Sequence, residues 1–261
     1  MSQPTPRAEI SLKTVLYRVP GMEAVHIRRD VVYHDSLTMD LYYPPETKNQ
    51  PAPVMIIVAG YPDAGIQMMF GCKFQEMGSN VSWAQLAAVS GIVAVTYTNR
   101  QPAEDLARLL HYLRHNAADL GIDANRIALW ASSGNVPLAL SLLNEVKCAV
   151  LCYGLTLDLD GGTEVADAAK MFRFANPGAG RSVSDLPRTV PLFVARAGHD
   201  ATPGLNTALD RFVSNAVSAN LPLTLANHPD GPHGFDLLHD SETTREIVRQ
   251  ILRFLEFHLG T

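Results

Sequence analysis

Residues 126–135 of the chain read RIALWASSGN. An apolar run ends at the small Ala131, presents Ser133 and Gly134, and resumes as an amphipathic segment at 137–143. This order is typical of a nucleophile elbow, in which a strand turns sharply into a helix with a serine at the turn. The turn lifts the serine Oγ clear of the sheet, where a base can take its proton. We therefore predict Ser133 as a nucleophile and the backbone N–H of Gly134 as an oxyanion donor.

Two features of this segment need a choice or an explanation. If Ser132 were the nucleophile, Trp130 would stand two positions before it, where the tight turn needs a small residue. Ser133 has Ala131 at that position, which favours Ser133. Asn135 stands where the elbow pattern has its last glycine, and it puts a side chain where the helix and the strand come close.

Short apolar runs predict the strands of a sheet. Two early runs, 25–32 and 37–43, flank the turn at 34–36 and predict an antiparallel hairpin. The later runs are apolar on both faces, as parallel strands covered by helices require. These runs are 54–59, 92–97, 127–131, 148–153, 192–195 and 223–226. Helical patterns occupy 83–89, 102–120, 137–143, 164–174, 205–217 and 242–259.

The pattern predicts a single α/β domain over 1–261. We expect a mostly parallel central sheet with an antiparallel N-terminal hairpin and helices on both faces. Residues 1–24 are expected to form an extended arm. Residues 155–190 are expected to form an insertion above the strand ends, as a small cap or lid.

Charge and composition exclude several classes of protein. The formal net charge is −5 and no run of Lys and Arg occurs, which argues against a nucleic-acid partner. No apolar stretch approaches the roughly 18 residues that span a bilayer, and no signal peptide is recognisable. We therefore expect no membrane association and a cytoplasmic location. The three cysteines, Cys72, Cys148 and Cys152, are expected to be reduced thiols.

A serine nucleophile needs a base, and the base needs a carboxylate that orients it. The strand-like run 193–197 stops at a turn that carries Asp200. His233 lies in a loop braced by Gly and Pro, between the last predicted strand and the final helix. The order Ser133, Asp200, His233 is the order that accompanies the elbow motif.

Four stretches together resemble the α/β-hydrolase fold, of the small esterase and dienelactone-hydrolase-like kind. They are LTMDLYYP at 37–44, GIDANRIA at 121–128, AGHD at 197–200 and PHGF at 232–235. The resemblance implies that Ser133 is the nucleophile, His233 the general base and Asp200 its orienter. It implies hydrolysis of a small carboxylic ester, thioester or lactone, with no cofactor and no metal.

The chain also departs from this family. The family's His-Gly after the third strand is Ala59 and Gly60 here, followed by Tyr61 and Pro62. Because Pro62 has no N–H, the Tyr61 N–H is the expected second oxyanion donor. The absence of His-Gly-Gly-Gly argues against the hormone-sensitive-lipase branch. Dienelactone hydrolases use a cysteine nucleophile, so Ser133 separates the chain from that substrate class.

The substrate pocket is less clearly marked. Tyr97 and Tyr153 end predicted strands, where either a place in the pocket or a place in the core would suit them. Asp63 lies near residues 59–62, the expected oxyanion loop, where it would suit either contact with a cationic substrate or a turn; the turn acid is favoured. Together with Tyr61 and Tyr153, the apolar residues of the insertion are expected to wall a modest pocket. Those residues are Leu155, Leu157, Leu159, Met171, Phe172 and Phe174.

A second hypothesis remains open at this level. A catalytically silent protein of the same fold, binding a small ligand or a partner, is compatible with the departures at the elbow and the oxyanion loop. The sequence also leaves a homodimer open. A silent relative has little reason to keep all three of Ser133, Asp200 and His233 at workable positions, and this favours the enzyme.

Overall fold

The computed structural model describes residues 7–46, 50–161 and 164–261. Their strands are β1 (His26–His34), β2 (Leu37–Tyr43), β3 (Ala52–Ile57), β4 (Val93–Tyr97), β5 (Ile122–Ser132), β6 (Cys148–Cys152), β7 (Leu192–Ala197) and β8 (Leu223–His228). They form one sheet in the order β1-β2-β4-β3-β5-β6-β7-β8.

The direction of the strands follows the sequence pattern. β1 pairs with β2 and β2 with β4 in antiparallel fashion, and all the pairs from β4 to β8 are parallel. Every residue of β4 and β6 is buried, because helices cover both faces of the sheet. The predicted mostly parallel sheet with an antiparallel N-terminal hairpin is confirmed.

The helices of the described residues surround this sheet. They are α1 (Arg7–Ile10), α2 (Asp63–Phe70), α3 (Gly78–Val89), α4 (Pro102–His115), α5 (Val136–Ser141), α6 (Glu164–Phe172), α7 (Leu205–Ser218), α8 (Phe235–Leu238) and α9 (Glu242–Leu259). None of the helices in the described part of the chain combines the length and the apolar character needed to cross a membrane.

The end of α4 differs from the prediction. The apolar pattern continues to Leu120, but the helix ends at His115. The Asn116 side chain donates a hydrogen bond to the Tyr112 carbonyl at 2.8 Å, which satisfies one of the last carbonyls of the helix. A turn then leads through Gly121, whose φ is +64°, into β5.

The core lies between the sheet and its helices. Trp83 of α3 and Trp130 of β5 are both buried, with their ring centroids 4.9 Å apart. On the same face of the sheet, Phe254 of α9 packs edge-on against Phe193 of β7. The thiols of Cys148 and Cys152 are free and buried within β6.

The sequence predicts an extended arm at the N-terminus, but the described part of this segment forms several hydrogen bonds with the rest of the domain. It contains the one-turn α1, and its carbonyl at Ser11 accepts a hydrogen bond from the Gly78 N–H at 2.8 Å. The Val15 N–H donates to Ser82 Oγ and the Leu16 N–H donates to the Asp236 carbonyl. Residues 1–6 of the predicted arm lie outside the described residues.

The 155–190 segment lies between β6 and β7. Its helix α6 contributes Val165 and Ala169 to a small apolar cluster, which is separate from the main core and also contains Leu155, Phe174 and Leu205. Tyr61 and Phe172 pack against this cluster. Residues 162–163 lie outside the described part of the segment.

Candidate active site

The elbow has the geometry that the sequence predicts. β5 ends at Ser132, and a 3-10 turn at Ser133–Asn135 leads into α5. Ser133 has φ +54°, a left-handed conformation that costs an L-residue about 1–2 kcal/mol. Such strain persists only where the surrounding structure fixes it, and it is typical of functional positions.

Three side chains from distant parts of the chain meet at this turn. His233 Nε2 lies 2.9 Å from Ser133 Oγ, and His233 Nδ1 lies 2.6 Å from Asp200 Oδ2. With Nδ1–H donating to the carboxylate, Nε2 is left as the acceptor for the serine proton. The structure therefore brings together all three residues of the predicted Ser–His–Asp set.

Asp200 is held as an anion in a buried position. Its side chain is fully buried, and it also accepts a hydrogen bond from the Thr202 N–H at 2.9 Å. Burial raises the pKa of Asp200, but the hydrogen bond and charge interaction with His233 outweigh burial, so the pKa lies below its ordinary value. The ionised carboxylate fixes the orientation of the imidazole.

The loops that carry Asp200 and His233 are joined to each other. The Gly198 N–H donates to the His228 carbonyl at 2.8 Å, and the His199 N–H donates to the Gly231 carbonyl at 2.9 Å. A Cβ on Gly198 would collide with the Pro229 carbonyl, so the close approach of the two loops requires glycine there. These contacts set the distance between the acid and the base.

Asn135 has a role that the sequence did not reveal. Its Oδ1 accepts a hydrogen bond from the Gly60 N–H at 2.7 Å, and its Nδ2 donates to the Ser132 carbonyl at 2.9 Å. A Cβ on Gly60 would lie only 2.8 Å from Asn135 Cα. The buried amide thus bridges the loop at Gly60 and the elbow, and Gly60 makes room for it. The close pairing of a glycine with this asparagine depends on the fold and leaves no local sequence signal.

Tyr97 belongs to the core and does not line the pocket. Its side chain is fully buried, and its hydroxyl oxygen accepts a hydrogen bond from the Ala59 N–H at 3.1 Å. Asn99 Nδ2 donates to the Ala59 carbonyl at 3.0 Å, and the Asn99 N–H donates to Asp63 Oδ2 at 3.2 Å. Tyr97 and Asn99 therefore hold the backbone at Ala59, just before Gly60 and Tyr61.

Tyr61 and Gly134 are adjacent. The Tyr61 side chain lies over Gly134 so closely that a Cβ on this glycine would collide with the phenol. On its other side the Tyr61 ring packs edge-on against Phe174, with the centroids 5.6 Å apart. Both predicted oxyanion residues border the cavity that contains Ser133 and His233.

This cavity has a volume of about 340 Å³. The segment 66–77 supplies five apolar side chains of its wall, and Ile10 of α1 and Leu237 and Leu238 of α8 add three more. From 66–77 the contributing side chains are Ile66, Met69, Phe70, Phe74 and Met77.

The prediction that the 155–190 segment walls the pocket is wrong. Among the described residues of that segment, Ala168 alone reaches the cavity. Leu159 and Met171 are exposed, and Leu157 is buried in the main core. The reason is packing: Phe172 lies against Gly65, where a Cβ would approach its ring to 2.9 Å, and this contact holds α6 beside α2.

Tyr153 borders the cavity. The sequence allowed either the pocket or the core for this residue, and the structure places it at the pocket. It has φ +37°, and its ring centroid lies 5.0 Å from that of His233 at an interplanar angle of 64°. Its hydroxyl donates to Asp236 Oδ1 at 2.8 Å, and Trp83 Nε1 donates to Asp236 Oδ2 at 2.8 Å. Asp236 follows His233 by three residues, and the sequence reasoning missed it because nothing local distinguishes it from a surface carboxylate.

Neither a protein-family model nor a curated protein matches the sequence. Solved structures do match. Esterase B from Lactobacillus rhamnosis, solved with a tributyrin phosphonate inhibitor, has a TM-score of 0.69 at 16% identity, over 93% of this chain and 88% of that one. A bacterial heroin esterase has a TM-score of 0.68 at 16% identity, over 92% and 86% of the two chains.

A third similar structure is the esterase LipW from Mycobacterium marinum, with a TM-score of 0.64 at 18% identity, covering 92% of this chain and 83% of that one. At these identities the likeness concerns the fold. The sheet order, the strand–turn–helix at Ser133 and these structural neighbours lead to one conclusion: the chain has the α/β-hydrolase fold.

Proposed function

We propose that the protein is a serine hydrolase of the carboxylesterase type, which cleaves small esters through an acyl-enzyme on Ser133. The observation that carries the proposal is the hydrogen-bonded series Asp200–His233–Ser133, which opens into an apolar cavity. The esterase neighbours support the same reaction class.

The geometry suits a two-step acyl transfer. His233 Nε2 takes the proton from Ser133 Oγ as the oxygen attacks the acyl carbon, and the carbonyl oxygen becomes an oxyanion. The N–H groups of Gly134 and Tyr61 are proposed to stabilise that charge. His233 then gives its proton to the leaving alcohol. In the second step His233 activates water, which releases the acid and restores the Ser133 hydroxyl.

The cavity favours a small, uncharged substrate. Among the described residues that line it there is no carboxylate, Lys or Arg, so a charged substrate would lose hydration without gaining an ion pair. Its volume of about 340 Å³ is near the lower end of the range for ligand pockets. We therefore propose acyl groups of about two to six carbons, since overfilling a packed site costs more than each added methylene gains. Small thioesters and lactones present the same acyl carbon.

A fluorophosphonate probe and p-nitrophenyl acetate test the proposal directly. We expect the wild-type protein to be labelled and to hydrolyse the ester. Ser133→Ala should abolish labelling and lower turnover by about 10³-fold or more, because the covalent step is lost. Ser132→Ala is the matched control, and it should keep most of the activity.

Two outcomes would contradict this proposal. If labelling followed Ser132 instead of Ser133, the nucleophile would be misassigned. If the folded wild-type protein were neither labelled nor active on nitrophenyl esters of any acyl length, the catalytically silent alternative would be favoured.

A further inference from the structure

Asp236 is a buried carboxylate that the proposed reaction leaves without a role. It is 3% exposed and lies at the start of α8, and Trp83 and Tyr153 each donate a hydrogen bond to one of its oxygens. No ion pair to Asp236 occurs among the described residues. Placing an unpaired carboxylate in a protein interior is costly, so its position next to the site needs a reason.

Tyr153 connects this carboxylate to the site. Its hydroxyl contacts Asp236, and its ring contacts the His233 ring in an edge-to-face arrangement. The Tyr153 backbone is fixed in a left-handed conformation at the end of β6, and its N–H donates to the Ala195 carbonyl at 2.6 Å. Left-handed φ at a bulky residue marks local strain that the surrounding structure maintains.

We propose that Asp236 and Tyr153 form a positioning pair, which holds the His233 imidazole in place and stabilises its protonated form during ester cleavage. The inference rests on the proposed function. When His233 takes the proton of Ser133 it becomes a cation, and a carboxylate one aromatic ring away attracts that cation more strongly in the interior than it would in water. Asp200 holds the imidazole through Nδ1. The pair holds it through the edge-to-face contact between the Tyr153 ring and the imidazole ring.

Within the described ranges, few titratable groups face His233 and Asp236. Asp200, from the loop after β7, and Tyr153, from the end of β6, contact His233. Asp236 is contacted by Trp83 and Tyr153, and it interacts electrostatically with the Cys152 thiol. Burial raises the pKa values of Cys152 and Tyr153, which keeps both neutral near neutral pH.

The test depends on the negative charge of ionised Asp236. Burial holds the pKa of Asp236 above its ordinary value, although the hydrogen bonds from Trp83 and Tyr153 and the charge interaction with His233 offset part of that rise. Both donors point at carboxylate oxygens, which is the arrangement that favours the anion. Asp236→Asn removes the charge and keeps the size of the side chain and an acceptor for Trp83.

We expect Asp236→Asn to lower kcat for p-nitrophenyl acetate by about 10-fold with little change in KM, because the lost interaction strengthens in the transition state. The acid limb of the kcat/KM profile should move to lower pH by about half a unit, since a lost negative charge disfavours the imidazolium. Tyr153→Phe keeps the ring and removes the hydroxyl link, and it should shift the acid limb in the same direction by a smaller amount.

Asp160→Asn is the matched control. Asp160 is also a buried carboxylate with two donors, the Val183 N–H and Asn215 Nδ2, but it lies outside the cavity lining. Thermal melting of all variants separates loss of folding from loss of positioning. We expect Asp160→Asn to change the melting temperature and to leave the acid limb in place.

An active wild-type protein whose pH profile is unchanged by Asp236→Asn would overturn the pair and leave the proposed function intact. So would an equal shift in Asp160→Asn. A wild-type protein without labelling or hydrolysis would overturn the proposed function, and the pair with it.

Discussion

At the scale of single residues, Asn135 shows that a departure from a motif can serve the site that the motif builds. Its amide accepts the Gly60 N–H, and the next residue in that loop is Tyr61, a proposed oxyanion donor. A glycine at this position would leave the Gly60 N–H without its acceptor. The elbow and the loop that carries Tyr61 are therefore coupled by the Asn135 side chain.

We expect Asn135→Ala to lower the free energy of unfolding by about 1–3 kcal/mol, because the buried Gly60 N–H loses its acceptor. It should lower kcat more than it raises KM, since the loop that carries the Tyr61 N–H is no longer fixed. Urea unfolding and steady-state kinetics measure the two effects. Asn144→Ala, at an exposed position after α5, is the control. A variant of Asn135 with wild-type kcat would contradict a role in the site.

The buried Asp63 leads to a prediction about how the stability of the fold depends on pH. Burial raises its pKa to about 6, even though the Asn99 N–H donates to it. The folded protein then binds this proton more tightly than the unfolded chain, where an aspartate has a pKa of about 3.9. The stability contributed at this position is therefore present below about pH 4 and is lost as the pH rises through about 6.

Asp63→Asn removes this dependence, because the amide cannot ionise and its oxygen still accepts from Asn99. We expect the melting temperature of the variant to exceed that of the wild type above about pH 6 and to match it near pH 4. Thermal melting between pH 4 and pH 8 measures the difference. An offset that is constant over this range would show that Asp63 is not responsible.

At the scale of elements, the helices α2 and α6 differ in how much each contributes to the wall of the cavity. Met69 of α2 lines the cavity, whereas Met171 of α6 is 72% exposed. Met69→Ala should widen the pocket and move the optimum of kcat/KM toward longer acyl groups, since a truncated wall leaves room for added methylenes. Met171→Ala should leave the optimum unchanged. Measuring kcat/KM for p-nitrophenyl esters from acetate to decanoate gives both profiles. If the optimum acyl length shifted in Met171→Ala and not in Met69→Ala, the 155–190 segment would form the wall of the pocket after all.

Helices and strands that end at a turn, a proline, a glycine or a capping residue could be predicted from the sequence with the bounds that the structure shows. β2 alternates apolar and polar residues between a turn and Pro44, and α9 begins after the N-cap Ser241 and ends before Gly260. The end of α4 could not be predicted, because the apolar pattern runs on to Leu120 and the stop depends on the Asn116 side chain. The position of α6 depends on the contact between Phe172 and Gly65, which no local pattern encodes.

At the scale of the whole molecule, the order of the strands explains why the Ser133–Asp200–His233 set was accessible to sequence reasoning. Parallel strands end at the same edge of a sheet, so residues that follow β5, β7 and β8 are brought together whatever the details of the loops. Asn135 and Asp236 were missed because their partners, Gly60 and Trp83, are distant in sequence and carry no motif.

The N-terminal segment has a consequence for how the molecule folds. The Leu16 N–H donates to the carbonyl of Asp236, and Ile10 borders the cavity, so this segment contacts a loop that lies far from it in the sequence. Contacts between segments so far apart in sequence are expected to form late in folding, because closing a long loop costs conformational entropy before the contact stabilises the chain. We therefore expect the proposed ester hydrolysis to be the last property that a refolding chain recovers, after the sheet and its helices have formed.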